Sequence, residues 1–388
     1  MAECALPRDA SSHTRLAFMC VGVVAANAPD VDLLYARITE EPIGYLLHHR
    51  GHSHTLPGLA LLALLIWSGL RIVPFIRTAL RGTEGRATIL VLAALVSHLL
   101  MDAANSYGTH LFYPFSSEWV YGDAVFVLEP WLWGILGATL ALNAARRVSR
   151  VAIVLLTLFL MGALVSVGVL QIGVLAAMLV AIGAAAFVTR AWNRKTRSAA
   201  VLIATTTMFL VMPFVSRIAK GEARRALAAV DAGELVDIVA DVNPGVPWCW
   251  TVLTLQKAND GFREALVARR ATLSLLPALW ASSSCASARL STRWSTDIPG
   301  SDGIVWHRTW RTDVDELRAF AARNCRVSAW LQFGRTPHVV NGYILDLRFE
   351  HPIGQNFTPT TVNGACPSHL TSWEWPRRDV LAYPSDRP

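Results

Sequence analysis

Hydrophobic positions are unevenly distributed along this chain. Before about residue 217 they form long unbroken runs, and after it they scatter into short alternating stretches broken by turn residues. A hydrocarbon core about 30 Å thick requires roughly 20 consecutive apolar residues in a helix. Leu56 to Ile76, Ala87 to Ala104, Ala124 to Ala145, Val151 to Val169, Ile172 to Val188 and Ala199 to Val215 approach or meet that length. Leu16 to Ala28 is apolar but shorter, and reads as a re-entrant or interfacial helix. Arg8, Asp9 and Arg15 before it, with no small-residue cleavage site after it, argue against a cleavable leader. The pattern predicts an α-helical multi-pass membrane bundle of about six to seven segments, followed by a smaller α+β domain. Three parts are expected: 1–145, 146–217 and 218–388.

Composition agrees, with 53% hydrophobic residues, 16% charged and a mean hydropathy of +0.38. The net charge of +7 would suit a nucleic-acid partner, but its placement suits a membrane better. Arg71, Arg77, Arg81 and Arg86 precede the Ala87 span, and Arg146, Arg147 and Arg150 separate the next pair. Arg190, Arg194, Lys195 and Arg197 precede the last span, whereas Ser106 to Asp123 holds no Lys or Arg. Short cytoplasmic loops are the ones enriched in Lys and Arg. The alternation therefore predicts that the ends carrying Asp30, His48 to His54 and Asp102 face outside, with the C-terminal domain extracytoplasmic. Membrane lipids are the expected partners and nucleic acid is not.

The C-terminal segment contains Val327 to Phe333 and Val339 to Phe349, whose β-branched and aromatic content predicts strands. Glu222 to Val239 and Asp260 to Leu276 read as helices. Cys249, Cys285, Cys325 and Cys366 lie in a compartment that permits disulfides, so one or two bridges are expected, with the pairing open.

Three clusters carry chemistry. Pro29-Asp30-Val31-Asp32 follows the first apolar run, where two carboxylates would more often cap a helix or sit solvated than bind metal. His48-His49-Arg50-Gly51-His52-Ser53-His54 places four of the chain's 11 histidines in seven residues; imidazole is a preferred ligand for Zn, Fe, Ni and Cu. Ser97-His98-Leu99-Leu100-Met101-Asp102 puts His98 and Asp102 four apart, on one helix face. Ionisable groups inside an apolar span are costly and usually face the bundle interior or a wet cavity, although a structural His–Asp pair would satisfy the same pattern. All three clusters lie at the same end of their segments. Asp oxygen with His nitrogen suits a mono- or dinuclear divalent site of the Zn or Mn/Fe/Mg class.

These residues resemble the YdjM-like family of bacterial inner-membrane-bound predicted metal-dependent hydrolases. The resemblance runs through Pro29, Asp30 and Asp32, then His49, Arg50, Gly51 and His54, then Ser97, His98, Asp102 and Gly108, over roughly residues 10 to 135. Thr55 stands where the family has Ser. The family's opening Thr-His has no counterpart ahead of Pro7, and the coding region is expected to continue upstream. The resemblance implies an inner-membrane hydrolase with Asp30, Asp32, His49, His54, His98 and Asp102 as metal ligands. Arg50, whose planar fork suits a phosphoester, and Glu129, a candidate acid–base group in Leu128-Glu129-Pro130, complete the expected catalytic set. His98 lies on the order of 10 Å inside its span at 1.5 Å per residue, which favours a lipid or lipid-linked substrate at the outer face. The rival is a non-catalytic scaffold or metal-binding protein whose outer domain binds a partner. Transport is disfavoured, because Gln171 is the single strongly polar side chain between Val151 and Val188.

Overall fold

The computed structural model describes residues 1–7, 10–116, 118–231, 233–259, 263–285, 298, 300–350, 356–368 and 377–381. Arg8 and Asp9, part of the argument against a leader, lie outside the described residues, as does Asp260. The chain divides into two compact units: 1–32 with 50–213, and 33–49 with 214–388.

The first unit is helical. Its main elements are α1 (Ser12–Asn27), α3 (Leu56–Ile72), α4 (Glu84–Ala103), α5 (Pro130–Asn143), α6 (Arg147–Ser166) and α7 (Ile172–Thr189); α2 (Ile43–His48) belongs to the second unit. A long helix, α8 (Arg194–Ala228), runs from the first unit into the second and contains Pro213. Among the described residues, five helices are long and apolar enough to cross a membrane, or six if the bent pair around Thr55 is one span. The chain is a membrane protein, and three spans differ from expectation. The N-terminal one is longer than its apolar run suggested, because the helical stretch continues from Ser12 to Ile38. The Leu56 to Ile76 run is one helix only to Ile72, because Pro74 opens a separate helix. The Ala124 to Ala145 run forms a helix of only 14 residues, because Glu129 and Pro130 start it late. Proline fits the first helical position, where its missing N–H has no partner to lose, and the Glu129 carboxylate accepts from the Trp131 N–H.

Phe18, Val21 and Ala25 on α1 pack on Leu59 of α3 and on Leu90, Val91, Ala94, Leu95 and Leu99 of α4. The three- and four-residue spacing makes one apolar stripe per helix. His98 and Asp102 continue that side of α4 toward its end. A second group, α5 to α7, packs through small residues. A Cβ on Gly137 would lie 2.2 Å from Thr157 Oγ1, and one on Gly134 2.3 Å from Ile182 Cδ1, so both helices approach closely because those positions lack side chains.

The second unit is α+β. An antiparallel sheet runs β1 (Glu234–Asn243), β2 (Val246–Asn259), β3 (Glu264–Ser274), β4 (Ile304–Asp313) in that order, followed by α9 (Val314–Arg323) and α10 (Cys325–Trp330). A second sheet pairs β5 (Pro337–Val340), β6 (Tyr343–Asp346) and β7 (Thr360–Thr361). Disulfides join Cys249 to Cys285 and Cys325 to Cys366. Residues 33–49 pack within this unit: the Tyr45 ring lies 5.7 Å from Phe357, and the Ser368 N–H donates to Glu40 Oε2 at 3.1 Å.

Three secondary-structure expectations are corrected. The Asp260 to Leu276 helix is strand β3 over its described part. Nearly every β3 residue is buried, Arg269 and Arg270 included, so the alternation that marks a half-exposed strand is absent. Glu222 to Val239 is helix only to Ala228, and β-branched Val236, Ile238 and Val239 then lie in β1. Val327 to Phe333 begins as helix α10, because Asn324 caps it by accepting from the Arg326 N–H at 2.8 Å. Val339 to Phe349 does contain a hairpin, β5–β6.

Candidate metal centre

Four side chains from three separate pieces of chain converge at one end of the first unit. Asp30 comes from the turn after α1, His54 from the turn before α3, and His98 and Asp102 from the last turns of α4. One ligand atom from each lies within 4.8 Å of all the others. His54 Nε2 is 3.0 Å from Asp102 Oδ2 and 3.6 Å from Asp30 Oδ1. His98 Nε2 is 3.3 Å from Asp102 Oδ2, 3.4 Å from Asp30 Oδ1 and 3.3 Å from His54 Nε2.

These separations fit one metal ion. Four ligands about 2.0–2.2 Å from a tetrahedral ion stand roughly 3.3–3.6 Å from one another, and the observed spacings cluster there. A second test is whether the two imidazoles are turned the right way. A ligating histidine normally gives its other ring nitrogen to a carboxylate or carbonyl. His54 Nδ1 lies 2.9 Å from Asp32 Oδ2, and His98 Nδ1 lies 2.6 Å from the Ala26 carbonyl oxygen. Both Nε2 atoms therefore face the centre.

Asp32 sits behind this set. It is fully buried, and its Oδ2 accepts from the Arg50 N–H at 2.9 Å and from Ser53 Oγ at 2.8 Å, besides its approach to His54. Three partners on one oxygen make it an anchor for the histidine turn.

Arg50 is the second support. Its Nη2 is 2.9 Å from Asp102 Oδ1, and its Nη1 donates to Asn105 Oδ1 at 2.9 Å and to the Asp102 carbonyl at 3.3 Å. The guanidinium lies 4.7 Å from the Tyr107 ring centroid, within cation–π range. The group expected to clamp an anionic substrate is buried and engaged with Asp102, whose Oδ2 is left to the centre. Arg50 holds a φ of 60°, a left-handed conformation uncommon outside glycine.

The remaining candidates are outside this four-residue set. His49 follows α2 in the second unit, with its ring 5.0 Å from Tyr45. Glu129 caps α5. His52, in the histidine-rich turn but outside the family pattern, is exposed and edges onto Tyr113. Sequence reasoning missed Ser53, Asn105 and the Ala26 carbonyl. Ser53 and Asn105 lay in view beside singled-out residues, whereas a backbone carbonyl leaves no residue-type signal.

Exposure is graded across the site. The His54 side chain is fully covered, His98 and Asp102 are 15% and 16% exposed, and Asp30 reaches 38%. The open side is Asp30's.

Comparison with known proteins covers the stretch of chain that holds this cluster. Residues 2–175 match the family described as YdjM inner membrane protein. The uncharacterized protein YfhP of Bacillus subtilis (strain 168) is 29% identical over 118 residues, which covers 30% of this chain and 33% of that protein. The match thus spans about a third of that relative's length. No solved structure matches. Every residue of the four-residue cluster falls inside the stretch, residues 2–175, that is similar to the YdjM inner membrane protein family.

Proposed function

We propose that the chain is a membrane-bound, divalent-metal-dependent hydrolase that cleaves a phosphoester carried by a membrane lipid. The observation that carries this reading is the convergence of His54 Nε2, His98 Nε2, Asp30 Oδ1 and Asp102 Oδ2 at the spacing one ion requires. The family's general description, metal-dependent hydrolase, points the same way. A bound divalent ion would lower the pKa of a coordinated water toward neutrality and polarise the scissile group.

The chain's own residues divide the remaining work. Asp32 and the Ala26 carbonyl fix the two imidazoles, so that neither must reorient when substrate arrives. Arg50 holds one oxygen of Asp102 and balances its charge. Asp30, the most exposed of the four, faces the incoming substrate, and its free oxygen is placed to accept a proton from an attacking water. The site lies at the ends of membrane-crossing helices, which favours a lipid head group over a soluble polymer. The loop charges favour the outer face, with the C-terminal domain on the same side.

The test is metal analysis of the detergent-purified chain, together with phosphate release from a panel of phospholipids and lipid phosphates. About one divalent ion per chain, and metal-dependent release abolished by His98→Ala, are expected. A purified protein that holds no divalent metal and releases no phosphate would sink the proposal.

A further inference from the structure

Between α3 and α4, deeper in the bundle than the four ligand residues, lies a cavity of about 350 Å³. Ala63, Leu64 and Trp67 of α3 line it with Thr88, Val91 and Leu92 of α4. Its volume falls within the range of small-molecule sites, yet its wall is apolar almost throughout. Thr88 has the one hydroxyl among these residues, and it already donates to the Glu84 carbonyl at 3.0 Å.

The cavity is aligned with the metal centre. Thr88, Val91, Leu95, His98 and Asp102 succeed one another at three- and four-residue steps, which is one stripe of a helix. At 1.5 Å per residue, Val91 and Thr88 lie about 10 and 15 Å along the axis from His98. That distance matches roughly half of a 30 Å hydrocarbon core, the depth one lipid leaflet fills. The rim opens sideways, since Leu64 and Leu92 are 57% and 48% exposed. Ala60 and Val96, next along the two helices toward the centre, are exposed as well. At the other end the Arg71 guanidinium lies 4.3 Å from the Trp67 ring, placing a charge where the groove stops. At this depth the surrounding medium is hydrocarbon, so an occupant that also reaches the centre must have a long apolar tail and a polar head.

We propose that this groove holds the hydrocarbon chain of the substrate, so that the substrate is a long-chain amphiphile whose head group is presented at Asp30, His54, His98 and Asp102. The assignment rests on the hydrolase reading for the head group, while the groove itself can be tested separately. The probe is a hexadecyl phosphate with a photoreactive diazirine near the end of its chain, added to the purified full-length protein in detergent.

Labelling should be saturable and map to the peptides holding Trp67 and Leu92. Unlabelled hexadecyl phosphate should compete, and butyl phosphate and inorganic phosphate should not. Ala63→Trp and Leu92→Trp fill the groove and should lower labelling about tenfold. Leu155→Trp, on the exposed face of α6, should not, and metal content should stay at the wild-type value in all three. Labelling that never saturates, or that the filling variants leave unchanged, reduces the groove to ordinary boundary-lipid contact and overturns the proposal. Saturable labelling of a wild-type protein without divalent metal overturns the head-group assignment and the hydrolase reading together.

Discussion

Replacing Asp32 by Asn separates a metal ligand from the residue that aims one. In the folded protein one carboxylate oxygen, Oδ2, meets the Arg50 N–H, Ser53 Oγ and His54 Nδ1 at 2.9, 2.8 and 2.9 Å. Asparagine keeps the shape but removes the charge. A hydrogen bond to a charged group is worth about 1 kcal/mol more than a neutral one, so three such bonds put an upper bound of about 3 kcal/mol on the lost stability. The effect on metal is indirect: His54 is no longer held with Nε2 toward the centre. Loss of such a supporting partner typically weakens metal binding about 10–100-fold. The assay is titration of the purified chain with Zn²⁺ or Mn²⁺ against a chelating dye, alongside His98→Ala and Asp102→Ala. Asp32→Asn should bind the same number of ions with weaker affinity, whereas the two alanine variants should lose the ion. If Asp32→Asn abolishes binding as completely as His98→Ala, Asp32 is a ligand and the division of roles is wrong. An unchanged affinity would show that its contact with His54 does not matter.

Three further outcomes are expected. A reporter fused after residue 217 should behave as extracytoplasmic and one fused near Arg81 as cytoplasmic; finding both on one side would refute the orientation. Gly122→Ala would place a Cβ 2.5 Å from Ala104 Cα and 2.6 Å from the Ala103 carbonyl, next to Asp102. Backbone must shift, so thermal unfolding should register about 1–3 kcal/mol of destabilisation, with weakened metal binding. The second unit should lose stability in acid in two stages, followed by tryptophan fluorescence of the full chain. Burial, then Arg308, pushes His338 down to about 4, and burial with Arg270 lowers His307. As pH falls through about 6.5, unfolded imidazoles take up protons that the folded ones refuse, and stability drops. Burial tends to raise the Asp237 and Asp346 carboxyls, but Arg335 and Arg348 hold both below the usual range. Their contribution is therefore present above about pH 4 and lost below it. Stability that is flat from pH 7 to 4 would contradict the first stage.

How legible each part was in the sequence depended on what competes with the signal. His98 and Asp102 stood out because charge inside an apolar run has few bland explanations, and helical spacing put them on one face. Asp32 was legible as a site residue but not as a supporting one, since pattern alone does not rank two carboxylates two residues apart. The Ala26 carbonyl, which aims His98, was illegible because every residue has one. In the second unit the cysteines announced bridges without their pairing. Strand β3 was misread because Arg269 and Arg270 are buried on opposite faces of a covered sheet. Arg269 donates to Gln256 and Asp231, and Arg270 to the Leu347 and Glu350 carbonyls. Charged residues in a short-loop context read as solvent-facing until the partners that bury them are known.

The backbone at Arg50 sets local strain against side-chain support. A left-handed φ costs a residue with a side chain about 1–2 kcal/mol relative to glycine, and the next residue in the chain is already Gly51. Glycine at 50 would relax the turn but remove the guanidinium from Asp102 and Asn105. Arg50→Gly is therefore a substitution whose two consequences have opposite signs, local relief and loss of the centre's support. Removing one partner of a buried ion pair costs about 3–5 kcal/mol, more than the turn relief returns, so the strained backbone at residue 50 is held in place by what its side chain holds.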